Sequence, residues 1–294
     1  MKLGAHIGIA RGLAWTAAEA IRLRCECIQI FLSNPRGWAP APSDAEARIA
    51  EWRCALDAHN ISPVIGHSSY LVNLASPQAE LRRKSMLSAV AAISRGKALG
   101  CDRFVIPAGY HKGMGERQAR RVMGPELREL ANVAGGGMKL LLENSAGAGS
   151  GMGWRFEDMA AALAAAGDEP NVGICLDTCH AHAAGYDLSS EDRVHEALEL
   201  FDRAMGLARL GAMPLNDAKH PAGSRRDAHA HIGKGSIGRA GFRALLAHPR
   251  LACLPGVIET PKEQGWDARN LRLLRRLSAE SALRRARGER CAVQ

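Results

Sequence analysis

The sequence predicts an α/β protein whose parallel strands close into a single (β/α)8 barrel. Three observations carry that expectation. The chain has 294 residues, long for one ordinary domain but suited to a barrel, which typically needs about 250. Apolar strand-like runs recur at residues 3–9, 27–32, 64–68, 103–107, 139–143, 172–177, 211–216 and 256–259. Ala- and Leu-rich stretches of helical length lie between them, among them 44–59, 76–99, 156–166 and 191–210. Strands that alternate with helices pair in parallel, because each crossover needs a helix. Eight such units favour a closed TIM barrel over an open sheet. The expected organisation is one domain over residues 1–280, followed by a basic, frayed tail over 281–294. Gly135-Gly136-Gly137 is long enough only for a turn between helix and strand. The long irregular stretch is 217–238, after the seventh run, and a loop of that length usually carries function.

Composition narrows the class. No apolar run approaches the roughly 20 residues a membrane span requires. The N-terminus, Met1-Lys2-Leu3-Gly4-Ala5-His6, lacks a signal peptide's apolar region. A cytoplasmic monomer with no membrane or obligate protein partner is expected. The 8 cysteines form no dense framework and read as reduced, mostly buried thiols. Cys175 and Cys179 flank Asp177 without a second close pair, which makes a poor zinc knuckle. A net charge of +9 attracts polyanions but does not by itself specify one. Much of the excess lies in arginines 269, 272, 275, 276, 284, 285, 287 and 290, as on a solvated helix.

Chemistry-bearing residues collect at the carboxyl ends of the strand runs. The third ends in His67, the fifth in Glu143, the sixth in Asp177 with His180 just beyond, and the eighth in Glu259. Asp227, His229 and His231 stand in the loop after the seventh. A barrel gathers these ends on one face. Imidazole and carboxylate are ligands of zinc and manganese. Carboxylates this close repel one another unless cations lie between them. The residues point to a multinuclear metal site at the C-terminal face of the strands. Any one of them alone reads equally well as a buried hydrogen-bond partner.

Several long motifs resemble the endonuclease IV family of apurinic/apyrimidinic (AP) endonucleases. They are Leu3-Gly4-Ala5-His6, Asn34-Pro35-Arg36-Gly37-Trp38, His67-Ser68-Ser69-Tyr70-Leu71-Val72-Asn73, Glu143-Asn144-Ser145, Leu176-Asp177-Thr178-Cys179-His180-Ala181-His182, Leu215-Asn216-Asp217, Asp227 with His229-Ala230-His231, and Glu259-Thr260-Pro261. The resemblance implies an enzyme with up to three zinc ions, manganese being the alternative, that cuts double-stranded DNA on the 5′ side of abasic sites. It implies His67 and Glu143 at a first metal, Glu143 bridging to a second with Asp177 and Glu259, and His180, Asp227 and His229 at a third. Glu143 and Glu259 are the implied catalytic residues. Arg36, Tyr70 and Leu71 match residues the family inserts into DNA, where a wedge replaces the missing base. Lys219, Arg225, Arg226 and Lys234 are further candidates for phosphate contact or plain solvated surface.

At two positions the chain departs from the family pattern. Pro107 and Pro214 stand where the family places ligand histidines of the first and second metals. Proline offers a metal no donor. Three outcomes follow as expectations: activity with a water or His111 filling the gap, a site with fewer metals, or a non-catalytic binder of abasic DNA. A metal-dependent sugar isomerase or epimerase on the same barrel is the remaining alternative. His6, His182 and His231 read as supporting groups rather than ligands.

Overall fold

A computed structural model describes residues 1–39, 44–263 and 265–286. Eight parallel strands close the barrel: β1 (Lys2–His6), β2 (Cys27–Phe31), β3 (Val64–His67), β4 (Arg103–Pro107), β5 (Lys139–Glu143), β6 (Val172–Cys175), β7 (Leu210–Pro214) and β10 (Pro255–Ile258). Two short strands, β8 (Asp217–Ala218) and β9 (His229–Ala230), form an antiparallel pair inside the loop after β7. The fold is the expected TIM barrel, and each expected strand is present, β4 and β5 with the expected ends and the others with ends moved by up to three residues.

The crossover helices are α1 (Leu13–Arg22), α2 (Glu46–Ala58), α3 (Ala79–Leu99), α4 (Glu116–Ala134), α5 (Phe156–Ala165), α7 (Glu191–Met205), α8 (Gly238–Ala247) and α9 (Trp266–Ala286), and a short α6 (Thr178–Ala184) follows β6. Local chemistry sets their ends. Ser190 accepts the Arg193 amide and caps α7, with Glu191 and Asp192 in its first turn. Gly100, at φ 79°, ends α3 in the left-handed conformation. The last helix runs through residue 281, where the tail was expected to begin. Leu271, Leu274, Leu277 and Ser281 are buried on one side of α9, and that docking carries the helix on to Ala286. Residues 287–294 of the expected tail lie outside the described residues.

The barrel interior explains where the site is. Cys27, Ile65, Val105, Leu141, Cys175, Ala212 and Val257 form a buried cluster of their own, one residue from each of seven strands. The eighth strand contributes Gly4, paired with both Cys27 and Val257. A Cβ on Gly4 would lie 1.7 Å from the Cys27 carbonyl oxygen, so only glycine fits there. Side chains alternate along a strand, so the residue two positions further on faces inward again. Those residues are His6, Gln29, His67, Pro107, Glu143, Asp177, Pro214 and Glu259. An apolar floor is thus followed, toward the carboxyl ends, by a layer made of polar side chains and two prolines.

Outside the barrel the helices pack through large apolar side chains. Trp52 of α2 is fully buried and donates its indole N–H to the Leu99 carbonyl at 2.9 Å. Replacing Trp52 with Ala should cost about 3–5 kcal/mol through the cavity it leaves, to which the orphaned carbonyl adds. Urea unfolding monitored by circular dichroism measures this, and a change below about 1 kcal/mol would show that α2 carries little of the core.

Candidate metal centre

Within the polar layer the side chains meet in pairs. His67 Nε2 lies 3.4 Å from Glu143 Oε2, and His6 Nδ1 lies 3.5 Å from Glu259 Oε1. Beyond the ring, α6 and β9 bring a second group over it. His180 Nε2 and His229 Nε2 each lie 3.2 Å from an oxygen of Asp227. His229 Nε2 also faces Asp177 Oδ2 at 3.8 Å, and His180 Nδ1 faces Glu143 Oε1 at 4.0 Å. Ligand atoms of His180, Asp227 and His229 lie within 4.8 Å of one another, as do those of Glu143, Asp177 and His180. Five of the seven sequence-predicted ligands, Glu143, Asp177, His180, Asp227 and His229, are thus close enough to share ions, while His67 adjoins Glu143 and Glu259 stands in the same layer beside His6.

The imidazoles are set to bind through one nitrogen. His67 Nδ1 hydrogen-bonds the Ser68 carbonyl at 2.8 Å, His180 Nδ1 the Asn144 carbonyl at 2.9 Å, and His229 Nδ1 the Glu259 carbonyl at 3.0 Å. A carbonyl only accepts, so each Nδ1 carries a hydrogen and each Nε2 is left for a metal. His229 Nε2 is buried and, despite lying near Asp227, makes no well-directed hydrogen bond. A cation between the imidazoles and carboxylates would satisfy that nitrogen, so the donor set fits a zinc-type ion. Cys179 also comes within 4.8 Å of Asp177 and His229, but burial raises its thiol pKa, and a thiol is a poor ligand.

The carboxylates are held by amides, of which sequence reading named Asn144 and Asn216 only as parts of motifs. The Asn144 Oδ1 accepts the Asp177 amide at 2.7 Å. Asn216 accepts the Glu259 amide at 2.7 Å and donates to Asp177 Oδ2 at 2.7 Å. Gln29 donates to both His6 Nδ1 and Glu259 Oε1. The buried Asp217 accepts five backbone N–H groups, from Ala218, Gly233, Gly235, Ile237 and Gly238, and so folds the long loop around itself. Asn144, Asn216 and Asp217 sit just past a barrel-strand end, which is the signal that could have found them, whereas Gln29 lies mid-strand in β2. His6 supports Glu259 as expected. His182 binds Leu188 and Ser236, and His231 binds Asn270 and Glu263. Both brace loops and, among the described residues, bond none of the candidate ligands. His111 accepts the Gly115 amide at 3.3 Å and belongs to no metal-capable group of described residues.

The family model described as a xylose isomerase-like TIM barrel matches residues 17–278. A probable endonuclease 4 from Halothermothrix orenii is 40% identical over 268 residues, 91% of this chain and 96% of that protein. The chain belongs to the endonuclease IV family. Endonuclease IV from Thermus thermophilus matches in structure with a TM-score of 0.84 at 34% identity, over 95% of this chain and 100% of that one. A D-tagatose 3-epimerase-like protein matches with a TM-score of 0.74 over 97% of this chain and all of that one, but at 18% identity it shares the fold alone.

In this member of the family the two prolines lie within the ring. Pro107 pairs in register with Glu143, and Pro214 with Val257, which directs both positions inward. Each ends its strand, where a missing N–H is tolerated. The rim above is formed by loops that hold one another. Tyr70 donates its amide to Pro35 and Ser69 its hydroxyl, both at 3.1 Å. Arg36 is exposed, Leu71 half-buried, and Tyr70 is 56% exposed with its ring centroid 5.1 Å from that of Phe31. Arg225 lies over the Trp154 ring at 4.4 Å.

The centre is strongly polarised. For His229, burial lowers the pKa, but the Asp177 charge and the Asp227 contact outweigh it and raise it to about 9. His180 is raised likewise by Asp177 and Asp227 against the same burial penalty. Burial would raise Glu259, but the His6 contact and the His67 and His229 charges bring it below the carboxylate range. Burial, helped by the His67 and Lys262 charges, lowers His6 against the pull of Glu259, so Gln29 bridges a neutral His6 to Glu259 in place of an ion pair. A raised histidine pKa stabilises the fold fully below the unfolded value of 6.5, and the contribution is lost as pH rises toward about 9. With chelator present, the thermal midpoint should therefore fall across that window, and His229→Gln should flatten the fall. A midpoint that is level through the window in the unsubstituted chain would contradict the histidine–carboxylate coupling.

Proposed function

We propose that the protein is a metal-dependent DNA repair endonuclease that hydrolyses the phosphodiester bond on the 5′ side of abasic sites in double-stranded DNA. The observation that carries this reading is the gathering of Glu143, Asp177, His180, Asp227 and His229 over an apolar floor, with His67 and Glu259 in the same layer, in a chain of the endonuclease IV family. His180, Asp227 and His229 would hold one ion, and Glu143 and Asp177 would hold another with Glu259. His67 with Glu143 offers a third position. Bound divalent ions supply an activated water, neutralise phosphate charge and stabilise the leaving oxygen. Zinc suits the imidazole-rich set, and manganese the carboxylates.

The chain's own residues do the rest. Asn144 and Asn216 fix the Asp177 and Glu259 carboxylates before substrate arrives. Glu143 is buried and faces both His67 and His180, which suits a bridging role. The lowered pKa of Glu259 favours a ligand over a proton acceptor. Tyr70, Leu71 and Arg36 stand on the rim where a wedge could enter the gap left by a lost base. Free thiols at all seven described cysteines fit a reducing cytoplasm, and we take the working form to be a monomer. No helix among the described residues is long and apolar enough to cross a membrane.

A nicking assay on an abasic duplex tests the reading, with Glu143→Gln as control. The unsubstituted chain should cut and leave a 3′-hydroxyl, and the variant should lose more than the roughly 10–100-fold of second-shell changes. Binding without nicking would leave a lesion binder. A single bound metal with no DNA affinity would point to sugar chemistry instead. The prolines allow a sharper measurement. Elemental analysis after mild dialysis should find zinc at fewer than three ions per chain. Pro107→His and Pro214→His should each raise metal retention about tenfold or more, with activity following. Unchanged metal content in both variants would show that other donors complete the site.

A further inference from the structure

We infer that a groove between α8 and α9, at the outer rim of the barrel, is a second binding site for the DNA backbone. The inference rests on the reading that the substrate is DNA, and extends it to phosphates away from the cut. Lys234 and Arg239 form one wall of the groove and Arg269, Arg272 and Arg276 the other, with Trp266 at its upper end and an open volume of about 290 Å³. No carboxylate lines it. All five cations are exposed. Among the described residues, only Arg276 has an ion-pair partner, Glu280 at 3.7 Å. Five cations facing one groove repel each other, and an anion entering it relieves that repulsion.

The shape selects the anion. Arg269, Arg272 and Arg276 follow one face of α9, and at 1.5 Å per residue the row extends about 10 Å. A DNA strand carries one phosphate per 3.4 Å of helix axis, so the row matches roughly three of them. A small free anion would instead be met by donors converging on a point. Position links the groove to the candidate centre. His231, two residues beyond His229, stacks on Trp266 with ring centroids 3.8 Å apart and planes within 5°. Arg269 lies over the other end of that stack, 5.2 Å from the Trp266 ring. Gly233, at φ 74°, lets the wall close: a Cβ there would lie 2.8 Å from Arg239 Cγ. Duplex that leaves the centre across the loop after β9 therefore meets the arginine row next.

The test compares the holoprotein with the variant Arg269→Ala/Arg272→Ala/Arg276→Ala. Binding is measured across a salt series, on abasic duplexes of one and of three helical turns and on intact duplex of three turns. On both long duplexes the variant should lose about 2–3 from the slope of log affinity against log salt, at about 0.9 per phosphate contact. On the one-turn abasic duplex, which offers fewer phosphates to the row, the variant should lose less of the slope. Matching thermal midpoints show that the variant is folded. Equal slopes for the two proteins on both long duplexes overturn the groove. The intact duplex keeps the two readings apart, because a slope lost there supports the groove even if no abasic site is cut.

Discussion

Alternation along a β-strand, multiplied by closure, governs this molecule. Parallel pairing keeps inward positions inward on every strand, so one apolar layer seals the barrel and the next inward residue of each strand enters a common ring. The floor matters as much as the ring. Cys27, Ile65, Val105, Leu141, Cys175, Ala212 and Val257 exclude water from below, which strengthens every charge interaction above. A one-residue slip in β3, β5, β6 or β10 would exchange a ligand for an outward-facing core residue.

The ring by itself would be unstable. It buries carboxylates and imidazoles that either repel or must be compensated. The protein answers with neutral amides. Asn144, Asn216 and Gln29 donate to or accept from the ligands without adding charge. The backbone carbonyls of Ser68, Asn144 and Glu259 fix the imidazoles in one tautomer. Orientation is thus settled before any cation arrives. The outer group, His180, Asp227 and His229, depends in turn on the loop that Asp217 gathers around its carboxylate.

Much of this was legible in the sequence because it follows from period two. His67, Glu143, Asp177 and Glu259 each end or just follow an apolar run, so their place on the rim could be read directly. Asp227 and His229 could not be placed by periodicity. Asp227 lies between, and His229 within, a pair of two-residue strands, β8 and β9, too brief to leave a pattern. The bracing roles of Asn144, Asn216 and Asp217 were hidden for another reason: most of their partners lie on other strands or further along a loop, and hydrogen bonds of that kind leave no periodic trace. The reach of α9 past residue 281 was not legible, because its many arginines read as a tail, whereas Leu271, Leu274 and Leu277 are buried along the helix. Pro107 and Pro214 were visible as departures, and the structure adds that both occupy ring positions rather than loops.

The sealed layer under the ring has a consequence for traffic. A barrel stoppered at mid-height has a single mouth, so whatever enters must retreat by the same route. Turnover then depends on how readily a cleaved strand lets go of the rim, and a compact anion lodged in that opening would obstruct arrival and departure together.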